Sequence, residues 1–172
     1  MRLYRRVIPK IAREVVRTLN ARGDIEVDEA TLDEAELDLA AVMVEYCNLD
    51  DRLSQDAREA IQRRGLSAER FGQVKKGLAD AKGFKIGEDG TEYVINQMIE
   101  VLFSSKNIEE IYAEDNDIRK FISEVLKKYL DIDEDIDREV RGRLKNLREG
   151  TQEWDVEYER TAGQIKRQRG IA

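Results

Sequence analysis

The sequence predicts an all-α protein in which two tandem, structurally related helical lobes, of about four helices each, are joined by a glycine-rich linker. Aromatic residues make up only 6% of the chain and proline occurs once, a composition that favours helix over sheet. Apolar residues recur at helical spacing along most of the chain, which is typical of amphipathic helices. The same apolar pattern occurs twice, which is typical of an internal duplication.

The duplication is defined by an ungapped shift of 83 positions, which brings Tyr46 onto Tyr129 (129 minus 46). Identical residues alone barely exceed chance, and any two helical stretches can be matched to some degree. The apolar register is more informative, because one shift aligns it across several predicted helices. The apolar pairs are Ile11/Val94, Val15/Met98, Val16/Ile99, Leu39/Ile122, Met43/Leu126, Leu49/Ile132, Leu53/Ile136, Ile61/Leu144 and Phe71/Trp154.

We therefore predict an N-terminal repeat at residues 1–82, a linker at residues 83–90 and a C-terminal repeat at residues 91–172. The linker is predicted from its three glycines in eight positions, since clustered glycines mark loops. We expect the two repeats to share an interface, because the core of so small a bundle is barely adequate on its own.

The first predicted helix covers Pro9–Ala21. Its apolar residues lie at spacings of four, on one face: Ile11, Val15 and Leu19. Proline suits the first helical position, because the amide hydrogen that it lacks has no partner there. In the second repeat, the equivalent helix is predicted to follow Thr91 as its N-cap.

The second predicted helix, Leu32–Tyr46, is opened by Thr31, and Glu34 three residues later gives the spacing of a capping box. Its equivalent is predicted at Asp117–Tyr129. The remaining helices are predicted in equivalent pairs, each with an apolar stripe: about 50–64 and 133–147, then one helix with Phe71, Val74 and Leu78 and one with Trp154, Tyr158 and Ile165. In the later third helix the stripe is Ile136, Val140, Leu144 and Leu147, which suits packing against one neighbour.

An acidic run at residues 131–137 invites comparison with a calcium-binding loop. An EF-hand loop that began at Asp131 would need glycine at its sixth position and glutamate at its twelfth. The chain has Ile136 and Gly142 there. We interpret the acidic residues instead as the beginning of a helix, where they complement the positive end of the helix dipole.

The residue types for common catalysis are scarce. The chain has no histidine and one cysteine, so the commonest general base and the usual zinc and haem ligand sets are missing. We interpret Cys47 as a half-buried structural thiol rather than a nucleophile. The glycines at 83, 87 and 90 fit neither a P-loop nor a dinucleotide-binding spacing. We expect no enzyme activity, no cofactor and no metal site.

The chain is also expected to reside in the cytoplasm. Its longest uninterrupted apolar run is Leu39–Val44, whereas a membrane-spanning helix needs about 20 such residues. The first residues do not resemble a secretory signal. A lone cysteine suits a reducing compartment.

Charge is segregated along the chain. Residues 1–23 have a net charge of +6 and residues 24–56 of −11. The basic residues on one flank of the first helix form a candidate basic patch: Arg2, Arg6, Lys10, Arg13 and Arg17. Either this patch binds phosphates or an acidic protein, or it packs beside the chain's own acidic segments. We favour the second interpretation, because the overall acidity opposes nonspecific binding of nucleic acid.

Three stretches of the sequence resemble a bacterial domain-of-unknown-function family, the one numbered five hundred and seven. They are MRLYRRVIPKIAREVVRTL at the start, AKGFKIGEDGTEYVINQMIEVLFSSKNIEEIYAEDNDIRK, and LKKYLDIDEDIDREVRGRLKNLREGTQEWDVEYER. The resemblance covers nearly the whole chain. It implies a bacterial cytosolic helical protein, and it brings no catalytic or binding residue with it.

Three hypotheses of function are ranked on these observations. The first is a non-catalytic interaction or scaffold module that receives a partner helix in a groove between its helical halves or on their apolar stripes. The second is an RNA- or DNA-associated protein that uses the basic first helix and basic residues of the later third helix, which are Arg138, Arg141, Arg143, Lys145 and Arg148. The third is an enzyme that works through carboxylates. The sequence determines neither the partner nor the oligomeric state.

Overall fold

The computed structural model describes residues 3–170, which are mostly helical, so the predicted all-α class is confirmed. The described residues form six α-helices: α1 (Ile8–Ala21), α2 (Leu32–Arg64), α3 (Phe71–Ala81), α4 (Asp89–Ser104), α5 (Asp115–Arg143) and α6 (Gln152–Gln168). Two strands of two residues each are β1 (Ile25–Glu26) and β2 (Glu110–Ile111), and short 3-10 turns lie at Arg5–Val7, Glu29–Thr31 and Ala68–Arg70.

The chain divides into two compact units, Met1–Lys127 and Lys128–Ala172. The first unit contains α1 to α4, both strands and the beginning of α5; the second contains the rest of α5 and α6. The segment between α3 and α4, residues 82–88, covers most of the predicted linker and belongs to the first unit. The predicted repeats are defined by similarity within the sequence, whereas the compact units are defined by packing. The units therefore do not test the repeat boundaries, which remain a prediction.

The long helices α2 and α5 each replace two predicted helices. The prediction placed an interruption after Tyr46, but the helix continues through the next three residues without a break. No glycine or proline lies there, and burial of Cys47 on the inner face keeps the helix packed. Because α5 also runs through residues 131–137, the predicted helix start at this acidic run is wrong. The acidic residues lie inside a helix.

The helix starts agree with the predictions only in part. Pro9 lies in the first turn of α1 but at its second residue, one position later than predicted. The α2 helix begins at Leu32 directly after Thr31, as predicted, but the capping box is wrong, because the Thr31 side chain makes no cap hydrogen bond. A 3-10 turn precedes α2 instead, and there the side chain of Asp28 accepts from the amide of Ala30 at 2.7 Å. The N-cap at Thr91 is also wrong. Backbone bonds between residues 87–91 begin α4 two residues before Thr91.

The core of the first unit is formed by inward-facing residues of α1, α2 and α4. On α1 these include the three predicted residues, Ile11, Val15 and Leu19, which are all buried. The helices α1, α3 and α4 each pack against α2. The core residues of α2 and α4 follow a helical period and are equally enclosed: Ala35, Leu39, Met43, Tyr46, Val94, Ile95, Met98 and Leu102.

A short antiparallel pair of strands joins the loops that follow α1 and α4. Ile25 pairs with Ile111 and Glu26 with Glu110. The loop after α4 is also tied to α2, because the Ser105 hydroxyl and the Asn107 side-chain amide donate to the same oxygen of Asp38, at 2.6 and 2.8 Å. These polar contacts fix the ends of α1 and α4 against the long helix.

Three aromatic rings close the first unit where α2 meets the segment before α4. The Phe84 ring centroid lies 5.1 Å from that of Tyr46 and 5.2 Å from that of Tyr93. The Tyr46 hydroxyl donates to the Lys85 carbonyl at 3.3 Å. Burial raises the pKa of Tyr46 to about 12. Gly90 approaches this ring so closely that a Cβ there would lie 2.2 Å from the Tyr46 hydroxyl oxygen.

The second unit has a core of its own, made by the later part of α5 and by α6. The predicted stripe is buried at Ile136 and Val140 of α5 and at Leu144, and Leu147 packs at its edge. The helix ends at Arg143 rather than near residue 147, so Leu144 and Leu147 lie in the turn that follows α5. The stripe residues meet Tyr158, Ala162 and Ile165 of α6. The Tyr158 hydroxyl donates to buried Asp137 at 2.5 Å, so the acidic run supplies a core hydrogen bond.

We expect Gly90→Ala to lower the free energy of unfolding by about 1–3 kcal/mol, because the new methyl group forces the Tyr46 ring out of its packed position. The matched control is Gly77→Ala inside α3, where the position opens to free space. That change is expected to be neutral or to stabilise by up to about 1 kcal/mol, because alanine favours helix over glycine. Urea unfolding followed by circular dichroism measures both variants.

The close approach also predicts that Gly90→Ala lowers the free energy of unfolding by less when Tyr46→Phe is already present. The phenyl ring lacks the hydroxyl oxygen that the new methyl group would meet. Equal losses of stability at Gly90 and Gly77, or no relief from Tyr46→Phe, would contradict this account.

Candidate interaction surface

The candidate surface lies along α1 and α2, which run antiparallel. Ion pairs show the direction, because residues later in α1 pair with residues earlier in α2. Arg17 lies 3.1 Å from Asp33, and Arg5, just before α1, lies 2.7 Å from Asp51. The two helices are therefore aligned side by side over about three turns.

One acidic residue of α2 is enclosed at this junction. Glu36 is only 9% exposed, and a buried carboxylate is costly unless a cation and hydrogen-bond donors satisfy it. Arg17 donates to one of its oxygens, and Arg13 lies 3.6 Å from the other. These two arginines hold the charged edge of α1 against α2.

Next to these pairs the helices form an open groove of about 300 Å³. Its lining combines an apolar floor with a charged rim: Pro9, Ala12, Arg13, Asp33, Glu36, Leu37 and Ala40. Leu37 stands at the groove edge and is 62% exposed. The groove has the composition that receives the apolar face of another helix.

The apolar lining continues along α2 beyond the groove. Leu37, Ala40, Ala41 and Val44 follow each other at spacings of three and four and so lie on one face. Val44 is 38% exposed. Single exposed apolar residues are ordinary, whereas these residues adjoin one another on one face of the helix. We call these four residues with Pro9 and Ala12 the α1–α2 surface.

The equivalent positions in the second half of the sequence are polar. The shift of 83 positions places Lys120 at the position of Leu37, Ser123 and Glu124 at the two alanines, and Lys127 at Val44. All four lie on α5 and are exposed. The helix at the equivalent place in the order of elements, α5, therefore has no apolar stripe at these exposed positions.

The predicted basic patch borders this surface. Arg2 lies outside the described residues. The Arg6 guanidinium lies 4.6 Å from the centre of the Tyr4 ring, and Lys10 is exposed in the first turn of α1. Arg13 and Arg17 engage the carboxylates of α2. The four described residues thus line the α1 side, where acidic groups of the chain neutralise part of their charge.

Several arginines of the second unit are also engaged by carboxylates. Arg141 donates to Asp137 at 2.9 Å and to Glu149 at 2.6 Å. Arg143 and Arg169 both donate to Glu139 at 2.5 Å, and Arg169 lowers the pKa of that carboxyl. Ion pairs with carboxylates therefore engage Arg138, Arg141 and Arg143, three of the residues that the nucleic-acid hypothesis selected.

Cys47 lies on the inner side of α2. Its thiol is 3.6 Å from the carbonyl oxygen of Leu3, and burial raises its pKa although Arg5 opposes the shift. A thiol in this environment is poorly ionised and a weak nucleophile. The part of the chain that the structure describes contains no group of three metal-ligating side chains, and none of its helices is long and apolar enough to cross a membrane.

The sequence analysis missed Leu37 and Val44 as surface residues. Between residues 35 and 46, apolar residues lie on two sides of α2, and the repeated apolar register of the sequence included only Leu39 and Met43, which face the core. The informative signal was present in the duplication, since the shift that aligns apolar positions elsewhere pairs Leu37 with Lys120 and Val44 with Lys127.

A family model described as "Protein of unknown function (DUF507)" matches residues 1–171. This confirms the resemblance found in the sequence. The comparison with curated proteins found no match.

We expect Arg17→Ala to lower the free energy of unfolding by about 1–2 kcal/mol, because it leaves the buried Glu36 carboxylate with only the more distant Arg13. In the double variant Arg17→Ala/Glu36→Gln, the loss of unfolding free energy should be smaller than the sum of the losses in the two single variants. The reason is that the neutral amide of glutamine needs no cation. Chemical unfolding of the four proteins gives the coupling. Additive losses would show that the ion pair does not hold α1 on α2.

We expect the Cys47 thiol to react with a disulfide reagent at least about tenfold more slowly in the native protein than in denaturant, at about pH 8. Burial limits access, and the raised pKa keeps the thiolate scarce. Absorbance of the released thiol measures the rate. Equal rates in both states would contradict the structural assignment of this cysteine.

Proposed function

The chain belongs to the DUF507 family, whose description assigns no function, and we propose that it is a non-catalytic protein-interaction module. The α1–α2 surface is its docking site, and the occupant is an amphipathic helix of a partner protein. The observation that carries the proposal is the exposed apolar stripe from Leu37 to Val44, continuous with the groove beside α1.

The proposal includes an internal duplication, with two related halves joined near residues 83–90. Equivalent contacts support it. Arg58 lies 5.5 Å from the centre of the Phe71 ring, and 83 positions later Arg141 lies 5.5 Å from the centre of the Trp154 ring. The elements also recur in the same order, α1–β1–α2–α3 and then α4–β2–α5–α6.

A second equivalent contact supports the duplication where α1 and α4 meet the long helices. Arg13 lies near Glu36 in the first half. At the equivalent positions, 83 residues later, Arg119 donates to the side chain of Asn96 at 2.7 Å. The same two positions touch in each half although the charge at the long helix has changed sign.

If the halves share one fold, the apolar stripe on α2 is not a requirement of that fold. The equivalent positions of α5 carry lysines and other polar residues. Burying an exposed leucine or valine in an interface contributes about 25 cal/mol per Å² of apolar area, and a lysine in its place keeps its charge in water. The difference between the halves therefore favours a binding role for α2.

The nucleic-acid alternative is less favoured by the same surface. Arg17 points its charge at two carboxylates of α2, those of Asp33 and Glu36, and phosphate binding at Arg17 would have to break these pairs. We place the module in the cytoplasm, as its sequence suggested, because its one thiol is free and buried, which suits a reducing compartment.

We expect the double variant Leu37→Lys/Val44→Lys, which copies the residues of α5, to lose a bound partner while its free energy of unfolding changes by less than about 0.5 kcal/mol. Both side chains are exposed, so the fold does not depend on them. Quantitative affinity purification compares the variant with wild type, and a protein that only wild type retains is then rebound in purified form.

The matched control is Lys120→Gln/Lys127→Gln on the exposed face of α5, which should keep the partner. A partner that binds the Leu37→Lys/Val44→Lys protein as tightly as wild type, or the absence of any partner that distinguishes them, would refute the docking site.

A further inference from the structure

We infer that the partner helix of the α1–α2 surface carries acidic residues along one edge of its apolar stripe and basic residues along the other. This inference rests on the proposed function and adds the chemistry of the partner. It follows from the charges on the two edges of the α1–α2 surface, which have opposite signs.

The α1 edge is basic. Arg13 lines the groove. Lys10 lies about 60° from Arg13 around α1, and both Lys10 and Arg6, in the turn before α1, are exposed. The Arg13 side chain is 68% exposed, and its contact with Glu36 is long at 3.6 Å. A contact of that length at an exposed side chain is weak, so the guanidinium can still attract an acidic group of a partner.

The opposite edge is acidic, and helix geometry fixes its side. At about 100° per residue, Glu36 and Ala40 lie roughly 60–100° from Leu37 in one direction around α2, and both line the groove with α1. Glu34 and Glu45 lie about 60° and 80° from Leu37 in the other direction, and both are exposed. The apolar stripe therefore runs between a basic edge and an acidic edge.

The acidic edge remains open to a partner. The Glu45 side chain is 55% exposed, and Arg52 approaches it only to 3.7 Å. Ion pairs between exposed side chains of this kind contribute little to stability, so a partner's lysine can displace the arginine. Opposite charges across an interface favour the matched partner and disfavour partners with like charges.

A partner with one sign of charge on both edges would meet repulsion along one side. A helix with an acidic and a basic edge meets attraction on both sides, and only when it lies in one direction along the groove. Reversing the helix exchanges its edges and places like charges together. The surface therefore selects both the charge pattern and the orientation of the bound helix. A second copy of this chain is less favoured, because each copy carries a net charge of −7.

The test uses three labelled helical peptides with the same apolar stripe of leucine and alanine. One has a glutamate edge and a lysine edge, one has lysine on both edges and one has glutamate on both. Fluorescence anisotropy measures their binding to the full chain at low salt. We expect the split-charge peptide to bind at least about tenfold more tightly than either uniform peptide, which corresponds to about 1.4 kcal/mol.

Reversing the charge on one edge of the α1–α2 surface should change which of the three peptides binds most tightly. Lys10→Glu/Arg13→Glu makes both edges acidic, so the lysine peptide should then bind most tightly. Glu34→Lys/Glu45→Lys makes both edges basic, and the glutamate peptide should be preferred. Circular dichroism confirms that each variant is folded, and the second pair keeps the test decisive if the first destabilises α1.

The outcomes separate this inference from the proposed function. Equal binding of all three peptides, lost in Leu37→Lys/Val44→Lys, overturns the charge pattern and leaves the docking site in place. Binding that survives Leu37→Lys/Val44→Lys overturns the docking site itself. Concentration-dependent dimerisation of the protein that this variant abolishes assigns the surface to a second copy and overturns the inference.

Discussion

The first compact unit depends on one constraint, the unbroken course of α2. The helix has 33 residues, about 50 Å of length, and α1, α3 and α4 all pack against it. A break after Tyr46 would separate the part of α2 that meets α1 from the part that meets α3. The aromatic group around Phe84 lies near this point and ties the segment before α4 to the same helix.

Packing three helices on one requires α2 to be apolar on more than one side, and this explains why its apolar residues show no single stripe. The inner positions, such as Leu39 and Met43, are fully enclosed. The outer stripe at Leu37 and Val44 is not used by the first unit. A side of the helix that the fold leaves in water, yet keeps apolar, is the physical basis of the proposed docking site.

Ion pairs organise the surfaces around these cores. Glu36 and Arg13 line the groove beside α1, and on the second unit Arg141 pairs with Glu149 and Arg143 pairs with Glu139. The exposed pairs contribute little each to stability, but they fix which charges remain for a partner. In the proposed duplication, Glu36 of α2 and Arg119 of α5 occupy equivalent positions. The contact with the preceding helix is present in both halves although the charge at this position is reversed.

Periodicity and composition are local properties, and from them the helical class, the inner faces of α1 and of the later part of α5, and the segregation of charge could be predicted. The similarity to the family was also visible in the residues alone. The continuation of one helix through Tyr46 and Cys47 could not be predicted, because a short break and a continuous helix have similar local sequences. The start of α2 after Thr31 was predicted correctly, although its side chain makes no cap hydrogen bond, whereas backbone turns begin α4 before Thr91. That Leu37 faces water and Leu39 the core follows from the packing of the other helices, because exposure depends on which sides of α2 they cover.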